Sequence, residues 1–194
     1  MAAGPAVGAA PPPSAVATTA APPAVPSPSP SRPRPSASPS RSQPAPARPL
    51  AAGPVSLEPD NGPGLFVTTA GGLGVLQPLS AGSGAAARRQ ATFEAVAGLN
   101  DAKCFSFRAA DGRYLRHSSW RLRLDAQNST ALFRGDATFC VRAGAVTGTV
   151  LLESSNYPGW FVHRRGSEMW VDHSDGSAAF LADSYFRVRP PLAA

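Results

Sequence analysis

The first 54 residues contain no acidic residue, no lysine, no cysteine and no aromatic ring. Their only charges are Arg32, Arg34, Arg41 and Arg48, and they hold 16 of the 22 prolines. A stretch without large apolar side chains cannot offset the entropy cost of ordering its backbone. Residues 1–54 are therefore predicted to be a disordered, semi-extended Pro/Ala/Ser-rich linker of polyproline character. The chain also lacks any apolar run of membrane-spanning length. Its first residues have neither a charged leader nor an unbroken apolar stretch, so no ordinary signal peptide is recognised. Cysteine is scarce, with only Cys104 and Cys140. Two cysteines 36 residues apart, with no CxxC and no nearby pair of histidines, make a poor zinc site. One disulfide is favoured over two buried thiols, and it would fit an oxidising, extracellular setting.

Positive charge is present but diffuse. The formal net charge is +6, and four of those charges belong to the linker. The rest of the chain carries 14 basic against 12 acidic residues. A nucleic-acid surface needs basic residues gathered on one face. Here they alternate with apolar ones, as in Arg121-Leu122-Arg123-Leu124, the pattern of a solvated strand face. Neither a nucleic-acid nor a membrane partner is expected.

What the remainder does have is repetition. One copy contains Gly112-Arg113-Tyr114-Leu115-Arg116-His117, then Leu122-Arg123-Leu124-Asp125, then Asp136-Ala137-Thr138-Phe139. Another contains Gly159-Trp160-Phe161-Val162, then Met169-Trp170-Val171-Asp172, then Asp183-Ser184-Tyr185-Phe186. From Tyr114 to Phe139 the two align at a constant offset of 47 residues without a gap. A looser copy precedes them, with Gly64-Leu65-Phe66-Val67 and Ala91-Thr92-Phe93. Each copy reads as four short strands with turn residues between, such as Asp111-Gly112 and Asn156-Tyr157-Pro158-Gly159. No window shows a clean helical stripe longer than two turns, and Ala85–Ala87 is the best helical candidate. A lone four-stranded unit cannot bury its face, whereas three units around an axis can close and remove sheet edges. The expected fold is thus all-β, a β-trefoil over residues 55–191 with repeats at about 55–99, 104–144 and 150–189. A three-bladed propeller is the runner-up.

The polar candidates are His117 and Asp136, 19 residues apart in the second copy. A carboxylate accepts hydrogen bonds from two hydroxyls, and a neutral imidazole donates with one nitrogen and accepts with the other. Together they could clamp a vicinal diol. Equally, Asp136 could cap a turn and His117 could simply end a strand.

The runs Gly112–His117 and Phe133–Phe139, the turn Asn156–Gly159 and the segment Ala91–Phe93 followed by Gly98-Leu99 resemble the AbfB-type domain. This is the arabinofuranose-binding module of α-L-arabinofuranosidases, carbohydrate-binding module family 42. The resemblance covers about residues 55–189. It implies a β-trefoil whose pockets hold terminal L-arabinofuranosyl groups of arabinoxylan or arabinan, with a His and an Asp as main polar contacts. It implies a polysaccharide partner, no cofactor or metal, and a secreted monomer. Transferred copy by copy, the second keeps both residues. The third keeps Asp183 but puts Arg164 at the His position, with His163 one residue earlier. One residue along a strand turns the side chain to the other face, so either Arg164 or a re-aimed His163 would have to serve. The first copy has Thr69 and Gln90 instead and is expected to be dead for this ligand. Trp120 and Trp160 could rim a pocket, because aromatic faces cover sugar C–H faces. A Cys104–Cys140 bridge would close the second copy.

Glycosidases need two carboxylates flanking the bond at a set separation. Asp125 and Asp172 recur, but beside strand ends, where they are expected to shape turns. The chain therefore reads as a non-catalytic sugar-binding module. The alternatives are a part of an α-L-arabinofuranosidase acting in L-arabinose metabolism, and a trefoil interaction module with vestigial pockets.

Overall fold

The computed structural model describes residues 50–193. The predicted disorder of the Pro-rich segment lies outside the described residues, apart from its end at 50–54. Twelve strands and three short helices follow one another. They are β1 (Gly53–Pro59), β2 (Leu65–Ala70), β3 (Leu73–Pro78), α1 (Ala85–Gln90), β4 (Phe93–Ala97), β5 (Phe105–Arg108), β6 (Tyr114–Ser118) and β7 (Arg121–Asp125). Then come α2 (Ala131–Asp136), β8 (Phe139–Ala143), β9 (Val150–Ser154), β10 (Trp160–Arg165), β11 (Glu168–His173), α3 (Ala178–Ser184) and β12 (Phe186–Arg189). The order of three strands, a short helix and a strand occurs three times. β1 begins two residues inside the segment assigned to the linker, because Gly53 and Pro54 pair with Ala95 and Glu94 of β4.

The strands pair antiparallel in one continuous path, β10-β11-β3-β7-β6-β5-β4-β1-β12-β9, and a β9–β10 pairing joins its two ends. The fold is all-β and the path closes on itself, with β2 and β8 paired alongside. Equivalent residues of the three copies meet in its centre. Phe93, Phe139 and Phe186 are essentially inaccessible, as are Val67 and Leu115, with Val162 nearly so. Burying each such side chain contributes about 1.5–3 kcal/mol, so these recurring side chains are core. The pairing of Phe105 with Phe139 brings the start of β5 against the start of β8. Cys104 and Cys140 flank that pair and form a disulfide.

The helices were only partly legible. α1 begins at the expected Ala85, but α2 and α3 also exist. Thr130 and Ser177 cap them, their hydroxyls accepting the amides of Phe133 and Phe180 at 3.1 Å. A Ser or Thr three residues before a Phe was the N-cap signal for both.

The hairpin turns differ among the copies. The β2–β3 turn uses Gly71 and Gly72 at φ 57° and 78°, and the β10–β11 turn uses Gly166 at 63°. Both suit the left-handed region that two-residue hairpins demand. The β6–β7 turn places Ser119 and Trp120 there, at 49° and 65°. They are the only non-glycine residues with positive φ among those described, and each costs roughly 1–2 kcal/mol of backbone strain.

Candidate functional site

His117 lies on β6 with Leu115, on the side that faces the core, and only 3% of its surface is exposed. Asp136 ends α2 and is equally buried. The two approach at 3.5 Å between Nε2 and Oδ1. A third residue, not foreseen from the sequence, joins them. Asn156, from the turn after β9, donates from Nδ2 to Asp136 Oδ1 at 2.8 Å. Its Oδ1 accepts from Ser154 Oγ at 2.8 Å and faces His117 Nε2 at 3.3 Å. His117 Nε2 also lies 3.0 Å from Ser154 Oγ.

These bonds determine the proton on His117. A carboxylate offers acceptors only, so the Asn156 amide nitrogen must point at Asp136. The Asn156 oxygen is then left to His117, and an amide oxygen only accepts. Nε2 therefore carries the hydrogen. Burial pushes the His117 pKa below its usual 6.5, outweighing the opposite pull of Asp136, so the ring is neutral at neutral pH. Nδ1 is then a bare acceptor. It makes no hydrogen bond within the described residues and is not sealed from solvent.

A cavity of about 270 Å³ opens over this group, lined by Arg116, His117, Ser118, Ser119, Trp120, Leu132, Asp136 and Tyr157. Arg116 Nη2 stands 3.5 Å from Asp136 Oδ2, with its guanidinium over the Phe133 ring. Trp120 stacks against His117 with ring centroids 5.9 Å apart, and against Trp160 at 4.0 Å. Tyr157 meets Trp120 edge-on at 5.0 Å.

The third copy builds the same polar chain with one change. Asn61, from the turn after β1, donates to Asp183 Oδ1 at 2.7 Å. Arg164 Nη1 donates to Asn61 Oδ1 at 3.4 Å. Arg164 thus occupies the His117 position and donates to the asparagine oxygen as His117 Nε2 does, but a guanidinium has no acceptor to match His117 Nδ1. His163 does not join this group. It pairs with Asp172 and packs on Phe180 at 4.9 Å, as Arg116 does with Asp125 and Phe133 in the second copy. The one-residue step along β10 turns it to the other side of the strand. Asp125 and Asp172, expected to shape turns, instead hold these basic side chains together with Arg123 and Arg165.

The loops that deliver Asn156 and Asn61 are anchored alike. Glu153 accepts the Gly159 amide at 2.7 Å and Glu58 the Gly64 amide at 2.6 Å, while Arg142 and Arg189 bind the two carboxylates. The corresponding loop between β5 and β6 is two residues shorter, and Arg108 stands in place of the glutamate. Among the described residues, no asparagine reaches the first copy. A cavity of about 260 Å³ remains there, lined by Thr69, Gln90, Ala109 and Ala110 among others, without an imidazole or carboxylate at the His117 and Asp136 positions.

The same closed all-β fold is found in solved structures of other proteins. An arabinofuranosidase solved in complex with arabinofuranosyl-α-1,2-xylobiose superposes with a TM-score of 0.68 at 25% identity, covering 78% of this chain and 33% of that one. A cytolethal distending toxin from Actinobacillus actinomycetemcomitans shares the fold alone, with a TM-score of 0.54 at 15% identity. Residues 55–188 match the alpha-L-arabinofuranosidase B (ABFB) domain, and the chain belongs to that family. It is 34% identical over 112 residues to an arabinofuranosidase/β-xylosidase of Trichoderma koningii, over 57% of this chain and 22% of that protein. It is 41% identical over 58 residues to the alpha-L-arabinofuranosidase B of Aspergillus niger, over 29% of this chain and 12% of that protein. The chain thus spans about a fifth of the length of the first of these relatives.

Proposed function

We propose that this chain is a non-catalytic carbohydrate-binding module that holds terminal L-arabinofuranosyl groups of plant polysaccharides in the second-copy cavity. The observation that carries this reading is the neutral His117 with its bare Nδ1 beside the Asp136 carboxylate, both fixed by Asn156. An imidazole acceptor and a carboxylate lining one cavity suit two neighbouring ring hydroxyls, and Arg116 supplies a donor. No group needs to exchange a proton, and the site offers a single carboxylate where glycoside hydrolysis needs two. The third-copy group of Arg164, Asn61 and Asp183 is a weaker subsite, with one acceptor fewer. In the first copy the sugar-binding pair is lost. The three copies are read as a β-trefoil over residues 55–191, monomeric and extracellular, with residues 1–54 as a tether. The disulfide supports the extracellular setting.

Affinity electrophoresis in arabinoxylan gels tests the reading. Retardation is expected for the wild type, most of it lost in His117→Ala and less in Asp183→Ala. Unchanged mobility of the wild type with arabinoxylan would refute the binding claim. Arabinose released by the purified chain, and abolished by Asp136→Asn, would refute the non-catalytic one.

A further inference from the structure

The aromatic cluster at the second-copy cavity has no counterpart in the other two copies. Where the second copy has Trp120, the others have Gly72 and Ser167. Where it has Trp160, they have Leu65 and Arg113. Gly62 stands at the Tyr157 position in the turn after β1, and Arg164 fills the space beside it, 2.9 Å from where a Cβ would lie. Aromatic side chains are therefore gathered at the one cavity that carries the full polar pair.

The cluster is also held at a cost. Trp120 sits at φ 65° next to Ser119 at 49°, in a turn where the other copies use glycine. That strain aims the indole over the cavity mouth. Its position is over-determined by stacking on His117 on one side and Trp160 on the other, with Tyr157 edge-on to both indoles. None of these rings is among the buried core side chains, although Trp160 packs against them. Trp120 and Trp160 are half-buried, and Tyr157 is 36% exposed. Trp160 does not line the cavity itself. The rings lead outward from the buried imidazole to the exposed His173, which meets Trp160 edge-on at 5.8 Å.

A terminal furanose in the cavity remains joined to a parent chain, and that chain must leave through the mouth. We infer that Trp120, Trp160 and Tyr157 form a second subsite, which takes the pyranose unit carrying the terminal furanose. This rests on the second-copy cavity being the terminal-sugar pocket. The C–H faces of a pyranose suit an aromatic surface, and a flexible polar rim would give no such contact. The module would then distinguish an arabinofuranosyl group on a pyranose backbone from the same group alone.

Calorimetric titration with methyl α-L-arabinofuranoside and with arabinofuranosyl-α-1,2-xylobiose tests the inference. The wild type is expected to bind the trisaccharide on the order of tenfold tighter, a ratio equivalent to about 1.4 kcal/mol. That ratio should fall to about one in Trp160→Ala, and also in Trp120→Gly, which restores the glycine of the first copy and relieves the turn. A wild-type ratio of one would overturn the second subsite while leaving the terminal pocket intact. So would an unchanged ratio in both variants. Failure of the wild type to bind either sugar would instead refute the terminal pocket itself, and the second subsite with it.

Discussion

Replacing Asn156 by alanine removes the link that holds the second-copy group together. Asp136, 3% exposed, loses the amide that donates to it at 2.8 Å, and Ser154 loses its acceptor at 2.8 Å. A hydrogen bond to a charged group contributes about 1.5–3 kcal/mol and a neutral one about 0.5–1.5. Some compensation remains, since Arg116 stays within 3.5 Å of Asp136 and Ser154 keeps His117. The side chain is also packed, because a Cβ on Gly135 would lie only 2.9–3.0 Å from the Asn156 amide and Cβ. The expected loss is about 2–3 kcal/mol, with a fall in Tm on the order of 10 °C for a domain of this size. The third copy provides the control. Asn61 makes the equivalent bond to Asp183 at 2.7 Å, but in the open. Asn61→Ala should stay within about 0.5 kcal/mol of wild type, as surface changes do. Scanning calorimetry of both variants measures the difference. Equal losses would show that burial does not separate the two sites and would refute the reasoning about His117.

Two further outcomes follow from the same geometry. The His117 pKa is lowered in the fold by burial, so below about 6.5 the unfolded chain takes up the proton first. Stability should be constant above that pH and decline as it falls toward the lowered folded value, whereas sugar affinity should hold until the pH nears that folded value and then fall, since protonation removes the Nδ1 acceptor. Affinity measured from pH 7 to 4 should show this in the wild type and not in His117→Gln, and affinity that rises on acidification would contradict the tautomer assignment. Cys104→Ala with Cys140→Ala opens a loop closed over a separation of 36 residues and should cost about 4 kcal/mol by loop entropy, read from urea unfolding. A loss below about 1 kcal/mol would show that the reduced chain keeps these strands together unaided.

Much of the domain was readable from its sequence, for a local reason. Strand positions follow from alternation in runs such as Leu122-Arg123-Leu124, and the repeat at 47 residues carries that alternation from copy to copy. His117 and Asp136 stand out because they sit inside the best-kept repeat, and Cys104 and Cys140 because they bound it. The period of two along a strand raised the question of whether Arg164 or His163 fills the third-copy position, and the pairing of His163 with Asp172 answers it for Arg164. Two short helices escaped, because six or seven residues span too few turns to show a stripe and only their Ser or Thr caps announced them.

Asn156, the residue that completes the site, could not be assigned from within the repeat that holds His117 and Asp136. It comes from the following copy, and Asn61 reaches the third copy's group from the first. Only closure of the strand path, through the pairing of β9 with β10 and of β1 with β12, brings these loops beside the preceding helix. The aromatic cluster arises the same way, from Trp120 on one copy and Tyr157 and Trp160 on the next. The sequence by itself thus determined the strands, the core and the two polar residues that one copy can hold. Tertiary structure decided what stands beside those two residues, because each candidate site is shared across a join, and a join exists only once the strand path has closed.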